Sequence, residues 1–92
     1  MNEQLLRDLE DVRKAVDEAL RARLAGVGGI EGPRSLEVIL RELDEAAAAV
    51  RGGKLPPHNQ RLAQTARIVS DWYPRTPLGD RIAEVVTSYF MA

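Results

Sequence analysis

Ser35-Leu36-Glu37-Val38-Ile39-Leu40-Arg41-Glu42-Leu43-Asp44-Glu45-Ala46-Ala47-Ala48-Ala49-Val50-Arg51-Gly52-Gly53 is the stretch whose periodicity decides the fold. Leu36, Ile39, Leu40, Leu43, Ala47 and Val50 recur at steps of three and four, which lines them along one side of a helix. Ser35 is expected to cap its amino end, and Gly52-Gly53 to stop it. The run Ala46 to Ala49 combines high helix propensity with little bulk, so a neighbouring helix or a partner protein can approach closely there.

Toward the amino end, Leu5, Leu9, Val12, Val16, Leu20 and Leu24 repeat the same spacing and predict a first helix from about Asn2 to Ala25. Glu3, Asp8, Glu10 and Asp11 precede Arg21 and Arg23, the order the helix macrodipole favours. Gly26, Gly28, Gly29, Gly32 and Pro33 then read as a flexible connector. It has no preceding strand and no following Gly-Lys-Ser/Thr, so a phosphate-cradling loop is not indicated.

Toward the carboxyl end, Pro56-Pro57 is expected to open a third helix with Leu62, Ala66, Val69 and Trp72 or Tyr73 inward, ending before Pro74. Thr76-Pro77 reads as N-cap and first residue of a fourth, burying Leu78, Ile82, Val85, Val86 and Tyr89. No stretch alternates at period two. The expected fold is all-α, a single-domain antiparallel bundle of about four helices over residues 1–92.

Composition agrees with that expectation. At 92 residues the chain suits one core, and 45% apolar against 29% charged residues is globular composition. Aromatics at 4% leave the core to Leu, Val, Ile and Ala. The absence of cysteine excludes disulfides, thiolate metal sites and thiol nucleophiles, and suits a reducing compartment. Residues Met1 to Asp8 lack the features of a signal peptide and no apolar run reaches bilayer length, so a cytoplasmic location and no membrane partner are expected.

A formal net charge of −1 conceals an asymmetry: residues 1 to 50 carry eleven acids and seven bases, residues 51 to 76 five bases and only Asp71. That basic stretch is too dilute for a nucleic-acid interface. Arg61 to Ser70 also lacks the short turn a helix-turn-helix needs before its recognition helix, so no nucleic-acid partner is expected.

Catalytic chemistry has no foothold in the motifs. His58 is the only histidine and has no clustered ligands, so neither a metal nor a cofactor is expected. Ser35, Thr65, Ser70, Thr76, Thr87 and Ser88 lie outside any nucleophile motif. Glu10-Asp11, Asp17-Glu18 and Asp44-Glu45 are adjacent on helices and point about 100° apart, which suits surface carboxylates better than an acid–base pair. A non-enzymatic protein is expected.

Recognition of another protein remains, and two features can carry it. On the second helix, Glu37, Glu42, Asp44 and Glu45 outnumber Arg41 and Arg51, an acidic face suited to a basic partner. Trp72-Tyr73, beside Asp71 and near Arg75, either closes one end of the core or anchors an interface. The candidate interface is therefore Glu37, Arg41, Asp44, Glu45, Asp71, Trp72 and Tyr73.

From Leu36 onward, the chain resembles small helical immunity proteins of type VI secretion effectors, particularly those opposing toxins that attack NAD(P) or other nucleotides. The likeness lies in Leu36-Glu37-Val38-Ile39-Leu40 leading a long helix, the helix with Leu62, Ala66 and Val69, and Pro77-Leu78 opening a last helix that closes on Tyr89-Phe90. The resemblance implies a non-enzyme that seats itself on a cognate toxin's catalytic domain and blocks substrate entry. The alternative from another class is a homo-oligomeric helical adaptor or regulator, with a homodimer as its assembly.

Overall fold

A computed structural model describes residues 2–72 and 75–92. Its described residues form four α-helices, α1 (Glu3–Leu24), α2 (Pro33–Gly52), α3 (Ala63–Ser70) and α4 (Pro77–Phe90), with a 3-10 turn at His58–Gln60 and no strand. A helix of 22 residues is about 33 Å long, most of the molecule's 38 Å axis, so α1 is the spine.

α1 packs most extensively on α2 and also on α4, while α3 touches both α2 and α4, so the helices close into a ring. Ion pairs Arg51–Glu10 and Arg13–Asp44 cross the α1–α2 seam in opposite chain order, which makes that pair antiparallel. Inside the ring lies one contiguous apolar cluster, centred on Leu9, Val16, Leu36, Ile39, Leu43 and Ile82. Each such side chain, fully withdrawn from water, contributes about 1.5–3 kcal/mol.

The buried stripe of α1 is Leu5, Leu9, Val12, Val16 and Leu20. Leu24 was expected to continue it but is 67% exposed, because the helix ends there. Val27 N–H bonds Ala22 O at 2.9 Å and Gly26 N–H bonds Arg23 O at 3.1 Å. Gly26 takes φ 89°, the left-handed conformation of a Schellman closure, and the chain turns off the core.

The N-cap of α2 lies three residues before the expected Ser35. Gly32 is its N-cap and Pro33 fills the first turn, where a fixed φ is pre-set for the helix and a missing N–H costs nothing. Its far end closes as expected at the glycine pair, with Gly53 at φ 72°. Lys54 N–H reaches Ala49 O there, and Gly53 N–H reaches Val50 O.

α3 differs most from expectation. Pro57 is extended (φ −55°, ψ 151°) and leads only into the 3-10 turn; α3 starts at Ala63, after Leu62 adopts φ 53°. Leu62 is buried as expected, but Ala66 is exposed and Thr65 is the buried residue of α3. α4 matches its expected start: Thr76 caps it, its hydroxyl accepting Gly79 N–H at 3.0 Å, with Pro77 next. Ile82, Val85 and Tyr89 are buried there, and Leu78 and Val86 half-buried.

Candidate functional site

The acids of α2 divide into two groups. Asp44 accepts Arg13 Nε at 2.5 Å across the α1–α2 seam, and Glu42 turns toward α3. Glu37 and Glu45 remain exposed, as does Arg41, and none of the three makes an ion pair among the described residues. The expected acidic face is thereby reduced to Glu37 and Glu45, with Asp44 half-exposed behind its arginine.

Glu42 has a structural task that sequence spacing does not reveal. Its Oε1 accepts both Thr65 N–H and the Thr65 hydroxyl, each at 2.7 Å. Leu62 at the N-cap has no side-chain acceptor to offer, so a carboxylate from α2 satisfies an amide in the first turn of α3 and places negative charge at the positive end of its dipole.

At the second candidate feature, Trp72 is half-buried and packs against the core. A Cβ on Gly79 would lie 3.2 Å from the Trp72 ring, so the absent side chain lets the indole lie on the start of α4. Asp71 is exposed at the end of α3, and Arg75 is engaged with Asp80 Oδ1 through Nε (3.0 Å) and Nη2 (2.8 Å). Tyr73 lies outside the described residues. Trp72 thus helps to close the end of the core.

Between α2 and the segment that follows it lies a cleft of about 500 Å³. Ala46 and Ala49 line it from α2, Leu55, Pro56 and Leu62 from the connector, and Tyr89 from α4. Glu42, Glu45, Lys54 and Gln60 supply its polar groups. Among the described residues Glu45 is the one candidate interface residue that borders it, and the alanine run is split: Ala46 and Ala47 are buried, while Ala46 and Ala49 also border the cleft.

Tyr89 is only 1% exposed, and its hydroxyl makes no hydrogen bond to the described residues. No fully buried side-chain oxygen or nitrogen among them lacks a partner. Tyr89 also borders the cleft. Burial pushes the phenol pKa up, opposed by the charge of Arg61, so the group stays protonated at neutral pH.

Arg61 is half-buried and clamps α4. Nε donates to Pro56 O at 2.7 Å, and Nη1 to the carbonyls of Tyr89, Phe90 and Ala92 at 3.2, 3.2 and 2.9 Å. A cation over the last carbonyls of a helix complements its dipole. Exposed His58 stacks edge-on against Phe90, ring centroids 5.0 Å apart.

At the opposite end, the glycine-rich connector is built around an ion pair. Arg23 Nη2 meets Glu31 Oε1, and Arg23 Nε donates to Glu31 O at 3.0 Å. The two side chains are 15% and 5% exposed. Burial alone would push the Glu31 carboxyl up, but hydrogen bonds from Arg23, its own backbone and Thr76, with the Arg23 charge, outweigh that and hold it below the ordinary carboxylate range. Leu24, Val27 and Ile30 are left exposed around this pair.

No helix among the described residues is long and apolar enough to cross a membrane. No protein-family model matches the chain, and neither the curated proteins nor the solved structures include a significant match to it.

Proposed function

We propose that this chain is a binding protein that neutralises a cognate antibacterial toxin of the type VI effector class by covering its active site in the cytoplasm, without catalysis of its own. The observation that supports this reading is the cleft bordered by Glu42 and Glu45 against the single cation Lys54, a surface whose net negative charge suits the basic substrate cleft of a nucleotide-attacking enzyme. Exposed Glu37 on the same helix extends that field, and such fields accelerate encounter with an oppositely charged partner.

The test is expression of the product of the adjacent open reading frame in bacterial cells. Growth arrest that co-expression of this chain relieves, together with a stable complex of the two purified proteins, is the expected outcome. Arrest that persists, with no complex formed, would overturn the proposal.

The alternative, a self-associating helical adaptor, draws on a different surface: Ala63, Ala66, Val86, Phe90 and Met91 border an apolar groove on the α3–α4 face. Concentration-dependent dimerisation abolished by Phe90→Glu would favour that alternative.

A further inference from the structure

We propose that the junction of Arg61 and Leu62 is a two-state hinge: the 3-10 turn His58–Gln60 and α3 stand apart in one state and join into a single helix over residues 58–70 in the other. Two residues make the break. Arg61 is extended at ψ 103°, and Leu62 is left-handed at φ 53°, ψ 35°. On either side the chain is already right-handed. Gln60 N–H bonds Pro57 O at 2.9 Å, Arg61 N–H bonds His58 O at 3.2 Å, and Ala66 N–H bonds Leu62 O at 2.9 Å to begin α3. Pro57, at φ −55° and ψ 151°, has the extended backbone of a residue that precedes a helix. Residues 58–70 contain neither glycine nor proline, so nothing in the local sequence demands an interruption.

Local preference and tertiary contact therefore oppose each other at this point. The left-handed backbone disfavours leucine, which lacks glycine's freedom. Contacts from other segments hold it there. Leu62 is 3% exposed in the core, Arg61 donates to Pro56 O and to the carbonyls of Tyr89, Phe90 and Ala92, and Glu42 accepts the Thr65 N–H and hydroxyl. One amide must choose between the states: in the joined helix Thr65 N–H turns to Arg61 O, four residues back, and Glu42 is released. Pro56, Gln60 and Leu62 all line the cleft beside α2, so joining reshapes one of its walls. A molecule that fits one shape of the cleft better than the other selects the corresponding state of the hinge.

The experiment is chemical exchange saturation transfer on the whole protein, labelled with carbon-13 and nitrogen-15, and it needs no partner. The expected result is a minor state, populated at about 1–10%, whose Cα and carbonyl shifts are helical over residues 59–62 and stay helical through α3. Glu42→Ala removes a contact made only in the broken state and should raise the ratio of minor to major state about five- to thirtyfold. Asn59 is exposed, so Asn59→Ala leaves the core untouched while favouring the longer helix, and should raise the ratio about two- to threefold. Coil-like shifts over residues 58–70 in the minor state would mean that α3 merely unfolds, and would overturn the proposal. So would a ratio that neither variant moves, or the absence of exchange at Arg61 and Leu62 in the parent and both variants.

Discussion

The carboxylate of Glu42 on α2 holds the amide and hydroxyl of Thr65 on α3 with one oxygen, at 2.7 Å each. A helix of eight residues is too short to persist in water by itself, so this tie between helices is part of what makes α3 a helix. Glu42→Ala should cost about 1–2 kcal/mol of unfolding free energy, the usual range for loss of a helix cap. Thr65→Ser should be nearly neutral, whereas Thr65→Val should approach the cost of Glu42→Ala. Urea titrations of the single and double variants measure the coupling; strict additivity would contradict the cap.

Arg23 and Glu31 make the second prediction. Glu31→Gln leaves the guanidinium without its charged partner in a largely enclosed site and should cost about 2–3 kcal/mol at neutral pH. The folded-state pKa of Glu31 is lowered, so its contribution is full above the unfolded value of about 4.3. It is lost as pH falls through the lower folded value. The stability gap between parent and Glu31→Gln should thus stay flat from pH 7 to about 5 and narrow below about 4. A gap that grows on acidification would refute the assignment.

Gly29 tests the same loop sterically. A Cβ built there would overlap the Arg23 guanidinium, so Gly29→Ala must displace that group from Glu31. Its cost should resemble that of Glu31→Gln, and the double variant should be little worse than either single one, since both remove one interaction. Thermal unfolding of the three proteins decides it.

Arg61→Ala should release the carbonyls of Tyr89, Phe90 and Ala92 and destabilise the fold by about 1–2 kcal/mol. Arg61→Lys should recover little, because an ammonium lacks the fork that reaches Pro56 and the end of α4 together. Amide exchange at the end of α4 should quicken in both variants; unchanged protection would show that the clamp is idle.

Under the proposed function, Glu37→Ala with Glu45→Ala should slow association with the toxin more at low salt than at high salt. Asp44→Ala removes a seam contact whose partners are 43% and 51% exposed, so it should shift stability by less than about 1 kcal/mol. Trp72→Ala should lower the melting temperature before it alters dissociation, because the indole packs on the core. Stopped-flow kinetics beside calorimetry separate these outcomes.

Three helices were legible in sequence because their apolar residues repeat locally: Leu5 to Leu20, Leu36 to Val50, and Ile82 to Tyr89 all lie on buried faces. Pro56-Pro57 misled, since proline suits an extended chain as well as a first helical turn, and Leu62 in a left-handed conformation resets the start of α3. The connector looked flexible because glycines dominate it; the Arg23–Glu31 pair spans eight residues outside any helical period. Likewise the cleft draws Glu45, Leu55 and Tyr89 from separate segments. Their meeting follows from the closed ring of helices and leaves no local pattern; of the lining, only Glu42 and Glu45 belong to the acidic face read from the sequence.

Leu62, at φ 53°, carries a conformation that costs a non-glycine residue about 1–2 kcal/mol, and it stands in the cleft wall directly ahead of α3. With Thr65 its one buried residue, that short helix should open before the rest of the bundle, and its amides should exchange first. Any molecule seated in the cleft leans on this wall, so occupancy and the folding of α3 are thermodynamically linked: each favours the other by the same free energy. Under the proposed function, the grip on a partner can accordingly be loosened from the far side of the wall, by weakening α3, without altering a residue that lines the cleft.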